Sequence, residues 1–214
     1  MTVHVCAYAA FPDRAERVSL LQASCDRLGI HLHLFGENHL STYNGKVLDF
    51  AEYLKGVEES HVLMLDGTDT LMVDRVEDHA GILFATEGNC WPMPDWAKNY
   101  PNPPEICVHP YLNSGCILGE REALQGMLEE IKANKFTHWH ASHSDQHAYT
   151  CAFLDGWGDL DYWGNLCLCL SKASLPYEVV DGKVYIPLTR AWPKVLHYCG
   201  GVPGREKMWK ELNR

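Results

Sequence analysis

His61-Val62-Leu63-Met64-Leu65-Asp66-Gly67-Thr68-Asp69-Thr70-Leu71 decides the fold of this chain. An apolar run that stops at two carboxylates three residues apart reads as a buried strand carrying Asp66 and Asp69 to the open edge of a sheet. A hard divalent cation takes oxygen ligands and leaves positions open for phosphate oxygens, so carboxylates at a strand end suit it. An N-cap aspartate followed by a turn aspartate has the same spacing.

Upstream, Val3-His4-Val5-Cys6-Ala7-Tyr8 is β-prone, and Val18, Leu21, Cys25 and Leu28 recur at helical spacing before Gly29. Ile30, Leu32 and Leu34 then alternate with His31, His33 and Phe35. Strand, helix, strand is the opening of a parallel sheet. A polar loop from Gly36 to Gly45 leads to a second amphipathic helix with Val47, Phe50, Ala51, Leu54 and Val57 on one face. Lys46 stands at its start, where a cation opposes the helix dipole; either a phosphate binds there or the lysine is solvated.

Downstream, Ile82-Leu83-Phe84-Ala85 reads as a strand ending at Thr86-Glu87-Gly88. Between Cys90 and Pro104 there are five prolines, which argue for a long excursion without a regular element. Trp91 in that excursion either walls a sugar-stacking pocket or pins the loop to the core. Tyr111 to Gly119 is a strand interrupted by Asn113-Ser114-Gly115, where glycine permits a bulge or the close approach of a ligand. Leu124, Met127, Leu128 and Ile131 mark a third helix, Asp181-Gly182 a hairpin turn, and Val195-Leu196-His197 a last strand. His138, His140, His143 and His147 form a histidine-dense stretch; a zinc site there competes with a solvated loop.

With 214 residues, a single domain spanning residues 1–214 is expected. A net charge of -10 with only 18 Lys and Arg argues against a broad nucleic-acid surface. No apolar run reaches the length of a membrane span and no basic segment precedes an apolar one at the N-terminus, so a cytoplasmic protein without membrane partners is expected. Nine cysteines without a Cys-x-x-Cys pattern point to reduced thiols. Cys167 and Cys169 alternate along a strand as packing residues.

Several blocks, taken in order, carry a resemblance: Leu65-Asp66-Gly67-Thr68-Asp69, Phe84-Ala85-Thr86-Glu87-Gly88-Asn89-Cys90-Trp91-Pro92, Tyr100-Pro101, Tyr111-Leu112-Asn113-Ser114-Gly115, Asp145-Gln146 and Leu196-His197. The series resembles the glycosyltransferase domain of the procollagen lysyl hydroxylases (the PLOD family) and related collagen-type glycosyltransferases, in a free-standing form, from Val3 to the tail. The resemblance implies a GT-A fold, a Rossmann-like α/β/α sandwich with a mostly parallel central sheet. It also implies a hexosyltransferase that moves glucose or galactose from a UDP-sugar, with Mn²⁺ or Mg²⁺ as cofactor. The acceptor is a hydroxyl on a protein such as one bearing hydroxylysine, on a glycan or on a modified nucleobase. A domain that keeps the fold and binds a nucleotide-sugar without turnover is the alternative.

By the same resemblance Asp66, Asp69 and His197 are metal ligands, and Lys46, Tyr8, Tyr43 and Thr68 belong to the nucleotide side. Asp145, Asn113, Trp91 and Glu87 belong to the sugar and acceptor side, with Asp145 placed to orient the acceptor or take its proton. The sequence departs from the family at Thr68, where an aromatic stacks on the base, and at Ser144-Asp145, where the family has an acidic pair. A shortened loop before Lys46 leaves Tyr43 as the replacement nucleotide contact.

Overall fold

The computed structural model describes residues 2–11, 13–36, 43–133, 144–171, 175–200 and 202–213, with only the backbone of 43 and 44. Six strands form the central sheet: β1 (Val3–Tyr8), β2 (Leu32–Phe35), β3 (His61–Asp66), β5 (Ile82–Glu87), β6 (Tyr111–Glu120) and β7 (Asp159–Leu160), in the order β2-β1-β3-β6-β5-β7. β1 pairs in parallel with β2 and β3, and β5 with β7, while β6 runs antiparallel to both its neighbours. The sheet is therefore mostly parallel, with β6 as the one reversed strand.

β3 is apolar from Val62 to Leu65 because both its faces are covered. Val62 and Met64 join a core with Phe50 and Leu54 of the Tyr43–Tyr53 segment and its 3₁₀ extension, Met127 and Leu128 of the Arg121–Lys132 helix, and Tyr149 of the Asp145–Leu154 helix. Leu63 and Leu65 face the other way, onto Leu21 and Cys25 of the Ser19–Leu28 helix. Each of these β3 side chains is fully buried, worth roughly 1.5–3 kcal/mol apiece. The result is the GT-A-like, Rossmann-like α/β arrangement, with helices on both faces.

A second, three-stranded sheet shares the Ser19–Leu28 side. It is built from β4 (Thr70–Met72), β11 (Val195–His197) and β8 (Cys167–Cys169), with β11 in the middle. A tight turn joins β3 to β4, closed by the Thr70 hydroxyl donating to the Asp66 carbonyl at 2.5 Å. No helix follows Asp66, which removes the N-cap reading. β9 (Glu178–Val180) and β10 (Lys183–Tyr185) form the expected hairpin, with Asp181 and Gly182 at φ 50° and 71° in a type I′ geometry. Asp74 anchors it, accepting from Lys183 Nζ at 2.9 Å and Lys194 Nζ at 3.1 Å.

Two local expectations change. The second amphipathic helix begins at Tyr43, inside the stretch expected as loop, so Lys46 lies in its first turn rather than at its very start. The proline-rich excursion does contain a short 3₁₀ helix, Pro94–Asn99; Pro94 stands at its start, where a missing N–H is harmless. Among the described residues no helix is long and apolar enough to cross a membrane.

Candidate active site

The carboxyl end of β3 opens onto a cavity of about 550 Å³. Asp66 ends β3 and Asp69 follows in the turn; each side chain is about 30% exposed or slightly less. His197 arrives from the end of β11, buried at 3%. Its Nε2 lies 3.6 Å from Asp66 Oδ2 and 3.4 Å from Asp69 Oδ2. Pairing of β11 with β4 brings the end of β11 to the end of β3: His197 registers against Thr70, the residue after Asp69.

The orientation of the imidazole is fixed from behind. Asn113 Nδ2 donates to Glu87 Oε1 at 3.1 Å, which turns its carbonyl oxygen toward His197 Nδ1 at 2.9 Å. That oxygen also accepts from the Gly115 backbone N–H at 2.9 Å. An amide oxygen only accepts, so Nδ1 carries a proton, and in the neutral ring the lone pair is on Nε2, facing the two carboxylates. Burial disfavours the imidazolium, but Asp69 and then Asp66 outweigh it and raise His197 to about 9. The same charge holds Asp69 below the usual carboxylate range, against the pull of its own burial. Burial pushes Asp66 up, opposed by Lys46 and reinforced by repulsion from Asp69.

A bulge makes room for this. Between Phe84 and Ala85 the pairing of β5 with β6 jumps from Ile117 to Asn113, leaving Ser114, Gly115 and Cys116 as extra residues on β6. A Cβ on Gly115 would collide with the His197 ring and reach within 2.8 Å of Asp66 Oδ2. The glycine legible in Asn-Ser-Gly thus admits a close approach, and what approaches is the histidine.

Lys46 is neither solvated nor at the cavity wall. It is buried, donating to Asp66 Oδ1 at 2.6 Å, Asp145 Oδ2 at 2.8 Å and the Ser114 carbonyl at 3.1 Å. Burial alone would discharge it, but the two carboxylates keep its pKa above the ordinary lysine value. Asp145, the first residue of its helix, also accepts from the Ser114 hydroxyl at 2.9 Å and lines the cavity.

Glu87 is buried beneath the cavity, and burial raises its pKa against the hydrogen bonds from Gln146 and Asn113. Gln146, quoted in the Asp145-Gln146 block but given no role there, donates to Glu87 Oε1 at 2.6 Å and to the Trp91 carbonyl at 2.9 Å. It thereby holds the excursion that carries Trp91, a residue 48% exposed at the cavity rim. Its position directly after Asp145 was the available signal.

The nucleotide set is less converged. Tyr8 and Thr68 do not line the cavity. Tyr8 ends β1 under Gly36, with burial and then Asp49 pushing its hydroxyl up to about 12. The Thr68 carbonyl accepts from Arg205. The side chain of Tyr43 lies outside the described residues, as do His138, His140 and His143. His147 is buried against Trp96, with ring centroids 4.9 Å apart.

The family model of the PLOD GT domain matches residues 54–160, half of the 214-residue chain. That segment holds Asp66, Asp69, Glu87, Trp91, Asn113 and Asp145, whereas Lys46 and His197 flank it. Among curated proteins no match to the chain is found.

Proposed function

This chain belongs to the PLOD GT domain family, a glycosyltransferase family, and we propose that it is a metal-dependent hexosyltransferase. It moves glucose or galactose from a UDP-sugar to a hydroxyl acceptor such as hydroxylysine or another hydroxylated biomolecule. The observation that carries this reading is the meeting of His197 Nε2 with Asp66 Oδ2 and Asp69 Oδ2 at the mouth of the cavity.

Two carboxylate oxygens and one imidazole nitrogen with its lone pair turned inward are a donor set that fits Mn²⁺ or Mg²⁺. When bound there, the ion supplies positive charge against the negative charge that builds on the departing diphosphate. The chain's own residues do the rest. Asn113 keeps the His197 lone pair aimed. Lys46 holds Asp66 and Asp145 at fixed separation and adds a buried positive charge beneath the same carboxylates. Trp91 offers an exposed ring to the sugar face. Asp145, at the cavity wall, orients the acceptor hydroxyl or takes its proton as the sugar–oxygen bond forms.

The test is UDP release from UDP-glucose and UDP-galactose, before and after chelation and with Mn²⁺ restored, in the wild type and in Asp66→Asn. Release that needs Mn²⁺ and vanishes in a folded Asp66→Asn is expected. Equal turnover in that variant, or release indifferent to chelation, would sink the reading. Binding of the UDP-sugar with no release from either donor would favour the non-catalytic alternative.

A further inference from the structure

His197 has a second set of neighbours on the side away from the aspartates. β8 and β11 run in parallel register, with Cys169 opposite His197, and Cys199 follows two residues later. Cys169 Sγ lies 3.7 Å from His197 Nδ1. The donor atoms of Cys169, His197 and Cys199 all lie within 4.8 Å of one another. Both cysteines are free thiols, and Cys199 lines the cavity, which provides a way in from solvent.

We propose that Cys169, Cys199 and His197 form a second cation site, for a thiophilic metal such as Zn²⁺, whose occupation excludes the hard cation from Asp66 and Asp69. A tetrahedral zinc with thiolates at about 2.3 Å holds its donors about 3.7 Å apart, which the Cys169–His197 pair already satisfies and the third donor reaches by a small inward shift. Three protein ligands leave the fourth position to water from the cavity. Binding displaces one proton from each thiol and the proton from His197 Nδ1. Soft sulfur donors select against Mn²⁺ and Mg²⁺, and the carboxylates of the neighbouring set select for them, so the two sites differ in the ions they take.

Exclusion follows from the ring itself. A neutral imidazole has one lone pair. If Nδ1 leaves Asn113 Oδ1 to bind the thiolate-held metal, it gives up its proton to solvent and the ring's one remaining N–H is on Nε2, facing Asp66 and Asp69 where a lone pair is needed. The Asn113 oxygen keeps the Gly115 N–H as a partner, so the exchange does not orphan it. This exclusion rests on Asp66, Asp69 and His197 as hard-cation ligands; the thiolate site itself does not.

The experiment uses reduced, metal-stripped protein and Cd²⁺ as the probe. A thiolate-to-metal charge-transfer band that saturates at one equivalent is expected, and its loss in Cys199→Ser and in Cys169→Ala. Circular dichroism confirms that the variants are folded, and Cys199→Ala replaces the serine variant if the hydroxyl disturbs packing. Absence of the band in wild type, or its persistence in both cysteine variants, overturns the site. In a second arm, Mn²⁺ is followed by electron paramagnetic resonance while Zn²⁺ is added. Release of bound Mn²⁺ at stoichiometric Zn²⁺ in wild type, but not in Cys199→Ser, upholds the exclusion. Equal release in both overturns it, since Zn²⁺ would then be competing at the aspartates directly. A charge-transfer band in a protein that binds no Mn²⁺ upholds the thiolate site and overturns the hard-cation reading, with the exclusion falling alongside it.

Discussion

Lys46 Nζ lies 2.8 Å from Asp145 Oδ2, with both side chains exposed by 6% or less. A buried pair of this kind is a weak source of net stability, but removing one partner leaves an uncompensated charge. Lys46→Met is therefore expected to destabilise the fold by about 3–5 kcal/mol, measured by chemical denaturation. Asp66 loses its partner too, though its partial exposure softens that share. A loss below about 1 kcal/mol would show that water replaces the ammonium easily.

Asn113 acts on the metal through His197. Asn113→Leu keeps the branched shape but leaves Nδ1 without its acceptor, so the ring is free to turn. Mn²⁺ affinity is expected to fall by about 10–100-fold, read by equilibrium titration beside a thermal melt. A melt that collapses together with affinity would reduce Asn113 to a packing role, and unchanged affinity would remove it from the site.

Gly115→Ala tests the bulge. The added methyl meets the His197 ring and the Asp66 carboxylate, and both sit in a packed environment, so overpacking should cost about 1–3 kcal/mol. Mn²⁺ binding should be lost as His197 is pushed off line. Wild-type affinity in this variant would mean that the histidine has slack the packing does not suggest.

Asp74 sets an acid limit on stability. Burial acts to raise its pKa, but the Lys183 and Lys194 ammonium groups and the Arg75 N–H outweigh it and hold the carboxyl at about 2, below the ordinary 3.8. A depressed folded-state pKa contributes stability that is present in full above the unfolded value and is lost as pH falls from about 4 toward 2. After allowing for partial exposure, the contribution is about 1–2 kcal/mol. Denaturation of wild type and Asp74→Asn should differ by that amount at neutral pH and converge near pH 2. A constant difference across that window would assign the effect to hydrogen bonding alone.

The parallel sheet was legible because β3 is apolar on both faces, which only a doubly covered strand tolerates, and because period-two and helical patterns alternate along the first sixty residues. The Asp181-Gly182 hairpin was legible because only particular residues adopt positive φ in succession. The partners of Lys46 were not: local spacing showed a lysine at a helix start, and its burial depends on Asp145, a hundred residues away. His197 gave only a weak local signal, a histidine ending a short strand ahead of glycines, and the family resemblance supplied its role as a ligand. The Cys169–His197–Cys199 group escaped sequence reading for a related reason. Alternation in β8 marked Cys167 and Cys169 as strand residues, but β8–β11 pairing decides which of them meets a histidine.

The small sheet has a consequence for synthesis of the chain on a ribosome. β4 and β8 do not pair with each other; β11 is the strand that joins them. A nascent chain that has already formed β1, β3 and β6 would present Asp66 and Asp69 with no imidazole beside them until Val195–His197 emerges and slots between its two neighbours. The aspartate pair is thus made early and its histidine late, so the centre comes into being only as the fold is sealed.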